Sequence, residues 1–223
     1  MMPVTSWKVA VTAYAATVLL LPHLATALNA VLIGDSILAS SDTQGGLGAI
    51  NKYLNEFSGQ KLNNYAKIGS SLHDGRVKSI PQLYQDMRTQ TAPAVPSTIV
   101  LNGGGNDVIS VRDDYWAFND KCQLQIDSAM EIAEDLMLRM HDDGVQHIIY
   151  LGFYYAFNMT QAVDYGTERV KRVCRDAAID CFVADVRDLD VVVGPDGLHP
   201  DDAGYRHLAD RIWETKQEYN IPF

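Results

Sequence analysis

The sequence predicts an α/β fold, a parallel five-stranded sheet with helices on both faces. Three observations carry this expectation. Apolar runs alternate along the chain with amphipathic stretches at helical spacing, the pattern of consecutive βαβ units. The runs have the length and composition of buried strands. Four of the five strand ends carry glycines and polar side chains where the chain would leave the sheet. Right-handed crossovers restrict the topology, and the expected strand order is 2-1-3-4-5.

Taken in order, "AVLIGDS" is the first strand, and "LGAINKYLNEF" the first helix, with Leu47, Ile50, Tyr53, Leu54 and Phe57 on one face. "KLNNYAKIG" is a short strand ending at Gly69, and "IPQLYQDMRTQ" a helix with Pro81 in its first turn. "STIVLNGGGND" is a buried strand ending in glycines, and "KCQLQIDSAMEIAEDLMLRMHDDG" a long helix closed by Gly144. "QHIIYLGFYY" is the fourth strand, and "AVDYGTERVKRVCRDAAI" a helix weakened by Gly166. "CFVADV" and "DDAGYRHLADRIWETKQEY" complete the set, with Asp201 or Asp202 as the last helix's cap. Irregular pieces at about 108–119, 154–162 and 187–199 all follow strands. Ligands of open parallel sheets bind outside those strand ends.

A chain of 223 residues, 47% of them hydrophobic, suits one large domain with a core of its own. The formal net charge of -10, with no basic stripe, argues against nucleic acid as a partner. Residues 1–27 read as a signal peptide: Lys8, an apolar stretch from Val9 to Leu21, Pro22, then Ala25-Thr26-Ala27 as an A-x-A cleavage site. The apolar stretch falls short of the ~20 residues of a membrane span. The expected organisation is therefore a leader over 1–27 and a single domain over 28–223. The protein is then secreted or periplasmic, with no stable membrane span after cleavage. Cys122, Cys174 and Cys181 form no C-x-x-C pair, so no metal site is expected. An exported chain can keep a disulfide, with Cys174 and Cys181 nearest in sequence, but spacing alone does not establish it.

The strand ends read Gly34-Asp35-Ser36, Gly69-Ser70-Ser71 and Gly103-Gly104-Gly105-Asn106-Asp107, and the loop after strand five holds Asp196-Gly197-Leu198-His199. In a parallel sheet these ends share one edge. Acyl transfer needs a hydroxyl nucleophile, a base for its proton, a group that orients the base, and donors aimed at the developing oxyanion. Ser36, His199 and Asp196 can fill the first three roles. The N–H groups of Ser36 and Gly69 and the amide of Asn106 can supply the donors.

These residues carry a resemblance to the SGNH (GDSL-type) hydrolases. The matching pieces are "GDSI" at 34–37, "NYAKIG" at 64–69, "GGND" at 104–107 and "DGLHPDDAGY" at 196–205, in the family's order. Ile37 stands where the family name has Leu. The resemblance implies a three-layer α/β/α, flavodoxin-like sandwich. It implies a catalytic triad of Ser36, Asp196 and His199, and an oxyanion hole of Ser36, Gly69 and Asn106. It further implies hydrolysis of a small-molecule, lipid or carbohydrate acyl ester without metal or cofactor. A G-x-S-x-G nucleophile elbow is absent, and "GGLGAIN" lacks the third glycine of a dinucleotide fingerprint. Within ester hydrolysis, carbohydrate deacetylase, lysophospholipase and thioesterase stay open, as does a non-catalytic protein on the same scaffold.

Asp107 is expected to be a structural hydrogen-bonder; Asp35 could hold its turn through side-chain hydrogen bonds, and its role stays open, with no catalytic role assigned. His73, His141, His147 and His207 are expected to be ordinary surface or helix residues. Two aromatic clusters, Tyr115, Trp116 and Phe118, and Phe153, Tyr154, Tyr155 and Phe157, could either line a pocket or pack loops onto the sheet.

Overall fold

Successive residues of a strand point to opposite faces of a sheet, so a strand covered on both sides must be apolar throughout. The chain satisfies this at β1 (Ala30–Ile33) and β3 (Thr98–Leu101), where every residue is buried, and nearly so at β4 (His147–Leu151). With β2 (Asn63–Asn64) and β5 (Asp180–Ala184) these form one all-parallel sheet in the order β2-β1-β3-β4-β5. The structure is a computed structural model that describes residues 30–39, 50–109, 118–156 and 159–223. The segment read as a signal peptide lies outside these residues, as do Leu47, Tyr115, Trp116 and Phe157.

Two cores follow from the alternation. Val31, Ile33, Ile99, Leu101, Ile148 and Tyr150 face one side, against α3 (Ile80–Thr91), α5 (Asp120–Asp142) and α6 (Thr160–Asp176). Ala30, Leu32, Val100, Ile149 and Leu151 face the other, against α2 (Ile50–Ser58) and α7 (Asp202–Glu218). The result is the three-layer α/β/α sandwich. Along α5, Ile126, Ala129, Met130, Ala133, Leu136, Met137 and Met140 keep the helical spacing that lets one stripe reach the sheet. Its cap is Asn119, whose side chain accepts the Cys122 N–H. Asp201 caps α7 by accepting the Gly204 N–H at 2.7 Å. Two short helices that the sequence reading passed over, α1 (Ser36–Ala39) and α4 (Gly105–Ile109), sit directly after β1 and β3.

β2 is shorter than "KLNNYAKIG" suggests. Past Asn64 the chain still runs beside β1, with the Tyr65 and Lys67 N–H groups donating to the Leu32 and Gly34 carbonyls. It then turns away at Gly69. Cys174 and Cys181 form a disulfide tying the end of α6 to β5, and Cys122 is a buried free thiol. Among the described residues, no helix is long and apolar enough to cross a membrane.

Candidate active site

The first site residue lies where β1 ends. A Cβ at Gly34 would stand 1.8 Å from the Asn102 Oδ1, so only glycine lets β1 and β3 close at their ends. The Asp35 N–H donates to Asn102 Oδ1 at 3.0 Å, and the Asn102 amide returns a bond to Asp35 Oδ1 at 2.7 Å. The same carboxylate oxygen accepts the Ile37 N–H at 2.9 Å. Asp35 thus clasps β3 with one bond and fixes the turn around Ser36 with another. Burial raises its carboxyl above the ordinary range, against the lowering effect of these two donors. Asp35 is therefore a structural member of the turn, buried behind the serine that it presents.

His199 reaches Ser36 from the loop after β5. Its Nε2 lies 2.8 Å from Ser36 Oγ, and its Nδ1 2.6 Å from Asp196 Oδ2. The other oxygen of Asp196 accepts the N–H groups of Leu198 and His199, so one carboxylate fixes both the ring and its backbone. Gly197 takes the left-handed conformation that the tight return demands, with φ +70°. Burial pushes the Asp196 carboxyl up. The His199 ring and the two N–H groups outweigh that and hold it below the usual carboxylate range. The loop is anchored from behind by Tyr154, whose hydroxyl donates to the Leu198 carbonyl at 2.6 Å. Burial pushes that phenol far up, so it stays a donor.

The expected oxyanion donors come from the ends of β2 and β3. Gly69 turns the chain at φ +79°, a conformation that disfavours any side chain. Asn106 lies in the first turn of α4, and its amide donates one proton to the Ser70 carbonyl at 2.8 Å. An amide nitrogen carries two protons in a fixed plane, so this bond also sets the direction of the second. Tyr150, buried in the sheet, donates to the Gly103 carbonyl and steadies the glycine-rich turn. Asp107 accepts the Leu72 and His73 N–H groups at 2.9 Å each, which agrees with its expected role as a structural hydrogen-bonder. His73 departs from expectation. It lies in the loop after β2, with ring nitrogens 2.7 Å from Asp107 Oδ1 and 2.9 Å from Ser128 Oγ.

Ser36 and Asn106 stand together on the wall of a cavity of about 900 Å³ including its open mouth. Beyond them the lining is apolar: Ile126 and Met130 from α5, Val163 and Gly166 from α6, and Phe153 and Tyr154 from the end of β4. Of the two aromatic clusters, Phe153 and Tyr154 thus line the cavity. Tyr155 is exposed and donates to Asp164, and Phe118 packs on the Tyr165 ring. Asn102 and Tyr150 are supporting residues that reasoning from the sequence did not single out, and His73 is one that it read as an ordinary surface or helix residue. Each acts through a partner at least 34 residues away.

Ser36, His199 and Asp196 therefore form a continuous hydrogen-bonded row at the carboxyl edge of the sheet, beside an amide donor and an apolar cavity. Among solved structures, the chain resembles that of TesA at TM-score 0.62 and 16% identity, covering 85% of this chain and 98% of that one. It resembles the psychrotrophic esterase EstA from Pseudoalteromonas sp., inhibited by monoethylphosphonate, at TM-score 0.61 and 12% identity, covering 86% and 98%. A family two carbohydrate esterase from Clostridium thermocellum, in complex with cellohexaose, matches at TM-score 0.61 and 18% identity, covering 86% and 65%. These likenesses establish the fold. No curated protein sequence matches the chain. The GDSL-like Lipase/Acylhydrolase family matches over residues 31–212, a span that holds all four motifs, and the chain belongs to that family of ester-cleaving hydrolases.

Proposed function

We propose that the protein is an exported serine hydrolase that cleaves carboxylic esters of aliphatic acyl chains through Ser36, His199 and Asp196. The observation that carries this reading is the Ser36 hydroxyl, 2.8 Å from His199 Nε2 at the mouth of an apolar cavity. In the first step Ser36 Oγ bonds to the acyl carbon as its proton passes to His199 Nε2. The carbonyl oxygen becomes an oxyanion facing the N–H of Ser36, the N–H of Gly69 and the free proton of the Asn106 amide. Collapse breaks the ester C–O bond, and the alcohol leaves with the proton from His199. Water then gives a proton to His199 and its oxygen to the acyl carbon, and the acid departs as Ser36 regains its proton. Asp196 keeps Nδ1 protonated, so that Nε2 is the acceptor, and stabilises the imidazolium.

The apolar lining favours an alkyl chain over an acetyl group on a sugar. Recognition of a sugar in a pocket needs polar groups spread along its wall. Among the described residues, the polar side chains of the lining are Asp35, Ser36, Asn102 and Asn106, all at the reacting end, while the Tyr154 hydroxyl is committed to the Leu198 carbonyl. Export is supported by the leader-like residues 1–27 and by the Cys174–Cys181 disulfide, a bond that persists in oxidising compartments. The test is Ser36→Ala, which should abolish turnover of p-nitrophenyl butyrate while leaving the melting curve in place. A fluorophosphonate should label Ser36 and nothing else in the native protein. Retained turnover in Ser36→Ala would end this reading. A protein that stays in the cytoplasm with residues 1–27 still attached would end the export part of it.

A further inference from the structure

The Asp196–His199 device occurs twice in this fold. In the loop after β5, a carboxylate accepts the N–H groups of Leu198 and His199 and the His199 ring, and the ring's far nitrogen meets Ser36. In the loop after β2, the Asp107 carboxylate accepts the N–H groups of Leu72 and His73 and the His73 ring, whose far nitrogen meets Ser128. The second row is not a second nucleophilic centre. Ser128 lies within α5, where backbone N–H groups are committed to the helix, so the helix offers it no backbone oxyanion donors.

We infer instead that His73 is a positioning residue for the oxyanion hole, acting through Asp107 and the Gly69–His73 strap on the Asn106 amide. The inference rests on the serine hydrolase reading above. Asp107 follows Asn106 in α4, and its carboxylate is fully buried. A carboxylate removed from water holds its place only while its oxygens are satisfied. Its partners include two backbone N–H groups of the strap and the His73 ring, itself braced against α5 by Ser128. The strap in turn supplies the Ser70 carbonyl that orients the Asn106 amide, and it carries Gly69. The direction of the Asn106 amide is therefore set by one unit that Asp107 closes and His73 locks. Loosening the ring lets strap and turn separate and points the second Asn106 proton away from the oxyanion.

The test is a double-mutant cycle with Asn106→Ala, read by steady-state kinetics on p-nitrophenyl butyrate. His73→Ala should lower kcat by about tenfold with KM within about twofold, less than the ~10²–10³ of a lost donor because the donor is misaimed and not removed. His73→Asn, whose amide can replace Nδ1 at Asp107, should recover most of that loss. In an Asn106→Ala background, His73→Ala should lower kcat by less than about twofold further, since it acts through the same group. The same tenfold loss in both backgrounds would overturn the inference, as would unchanged kcat in His73→Ala or phosphonate labelling of Ser128. If His73→Ala does not fold, Ser128→Ala carries the cycle, with a kcat loss of about threefold that disappears in Asn106→Ala; a loss that persists there overturns it. Amide hydrogen exchange at Leu72 and His73 needs no turnover. It should speed up in Ser128→Ala, and in His73→Ala where that variant folds, and unchanged exchange counts against the inference even if the wild-type chain hydrolyses no ester and the serine hydrolase reading alone has failed.

Discussion

Gly166 offers a direct test of what the cavity holds. It lies in the second turn of α6, an interior position where glycine costs about 1 kcal/mol relative to alanine. The helix alone would be better served by almost any other residue. A Cβ there would stand 3.2 and 3.3 Å from the Phe153 ring and 4.0 Å from Ile126, all residues of the cavity wall. A side chain at 166 must therefore enter the cavity or drive Phe153 into it. Each methylene moved from water into apolar surroundings is worth about 0.8 kcal/mol, close to a fourfold change in kcat/KM. Over p-nitrophenyl acetate, butyrate, hexanoate and octanoate, the wild-type protein should gain about fourfold per methylene until the cavity is filled. Gly166→Val places three carbons in that space. It should lower kcat/KM for octanoate by about 60-fold, three methylenes at 0.8 kcal/mol each, and leave acetate within about twofold. Overpacking of about 1–3 kcal/mol can lower the melting temperature, so each rate is compared well below the variant's transition. A flat chain-length profile in the wild type, or equal losses on acetate and octanoate in the variant, would refute the assignment of the cavity to the acyl chain.

Asn106→Ala should cut kcat by ~10²–10³ with little change in KM, measured on p-nitrophenyl butyrate; a change confined to KM would place Asn106 in ground-state binding. Gly34→Ala should destabilise the fold by at least about 2 kcal/mol in urea unfolding, because its Cβ would collide with both the side chain and the carbonyl of Asn102; wild-type stability would mean that β1 and β3 can part at this point. Burial pushes the Asp185 carboxyl up, but bonds from Arg187 and Lys171 overcome this and hold it far below the usual range. Its folded pKa is thus depressed below the ~3.9 of an unfolded chain, so its stabilisation is complete above about pH 5 and fades as pH falls. Urea midpoints should drop between pH 5 and pH 2.5, and Arg187→Met should shrink that drop.

The layers of this fold were legible because burial on both faces leaves a strong mark. Short apolar runs such as Ala30–Ile33, and the three residues that follow Thr98 in β3, have few alternatives to a buried strand. β2 was overdrawn for the opposite reason. It is an edge strand paired only with β1, so its sequence need not say where pairing stops. The helices α1 and α4, of four and five residues, are too short for a 3.6-residue period to register. The candidate site was legible where a motif is local: Asp196 and His199 are three residues apart and share a turn. It was opaque where a partner is distant. Nothing near His73 announces Asp107 or Ser128, 34 and 55 residues away, and Asn102 reads as a plain strand end until Asp35 is found 67 residues before it. Gly166 registered only as a weakness in a helix, because the cavity that makes sense of it is built by two other elements.

Three of the motif aspartates share one physical task. Asp35, Asp107 and Asp196 each accept at least one backbone N–H from a residue beside the reacting edge, and each also holds a side chain: Asn102, His73 and His199. A neutral acceptor could satisfy the same N–H groups, but a carboxylate forms shorter and roughly twofold stronger bonds and has oxygens enough for several donors. That matters because the edge is built from loops, which carry few contacts of their own. The nucleophile turn, the oxyanion strap and the base loop come from chain segments far apart in sequence, and none lies within a long helix or strand. Distributing one carboxylate to each, buried at Asp35 and Asp107 and exposed at Asp196, makes three separate turns rigid without filling the cavity that they surround. Asp35 and Asp107 need touch no substrate for this purpose. Asp196 differs from them only in that the ring it orients is the one in contact with Ser36.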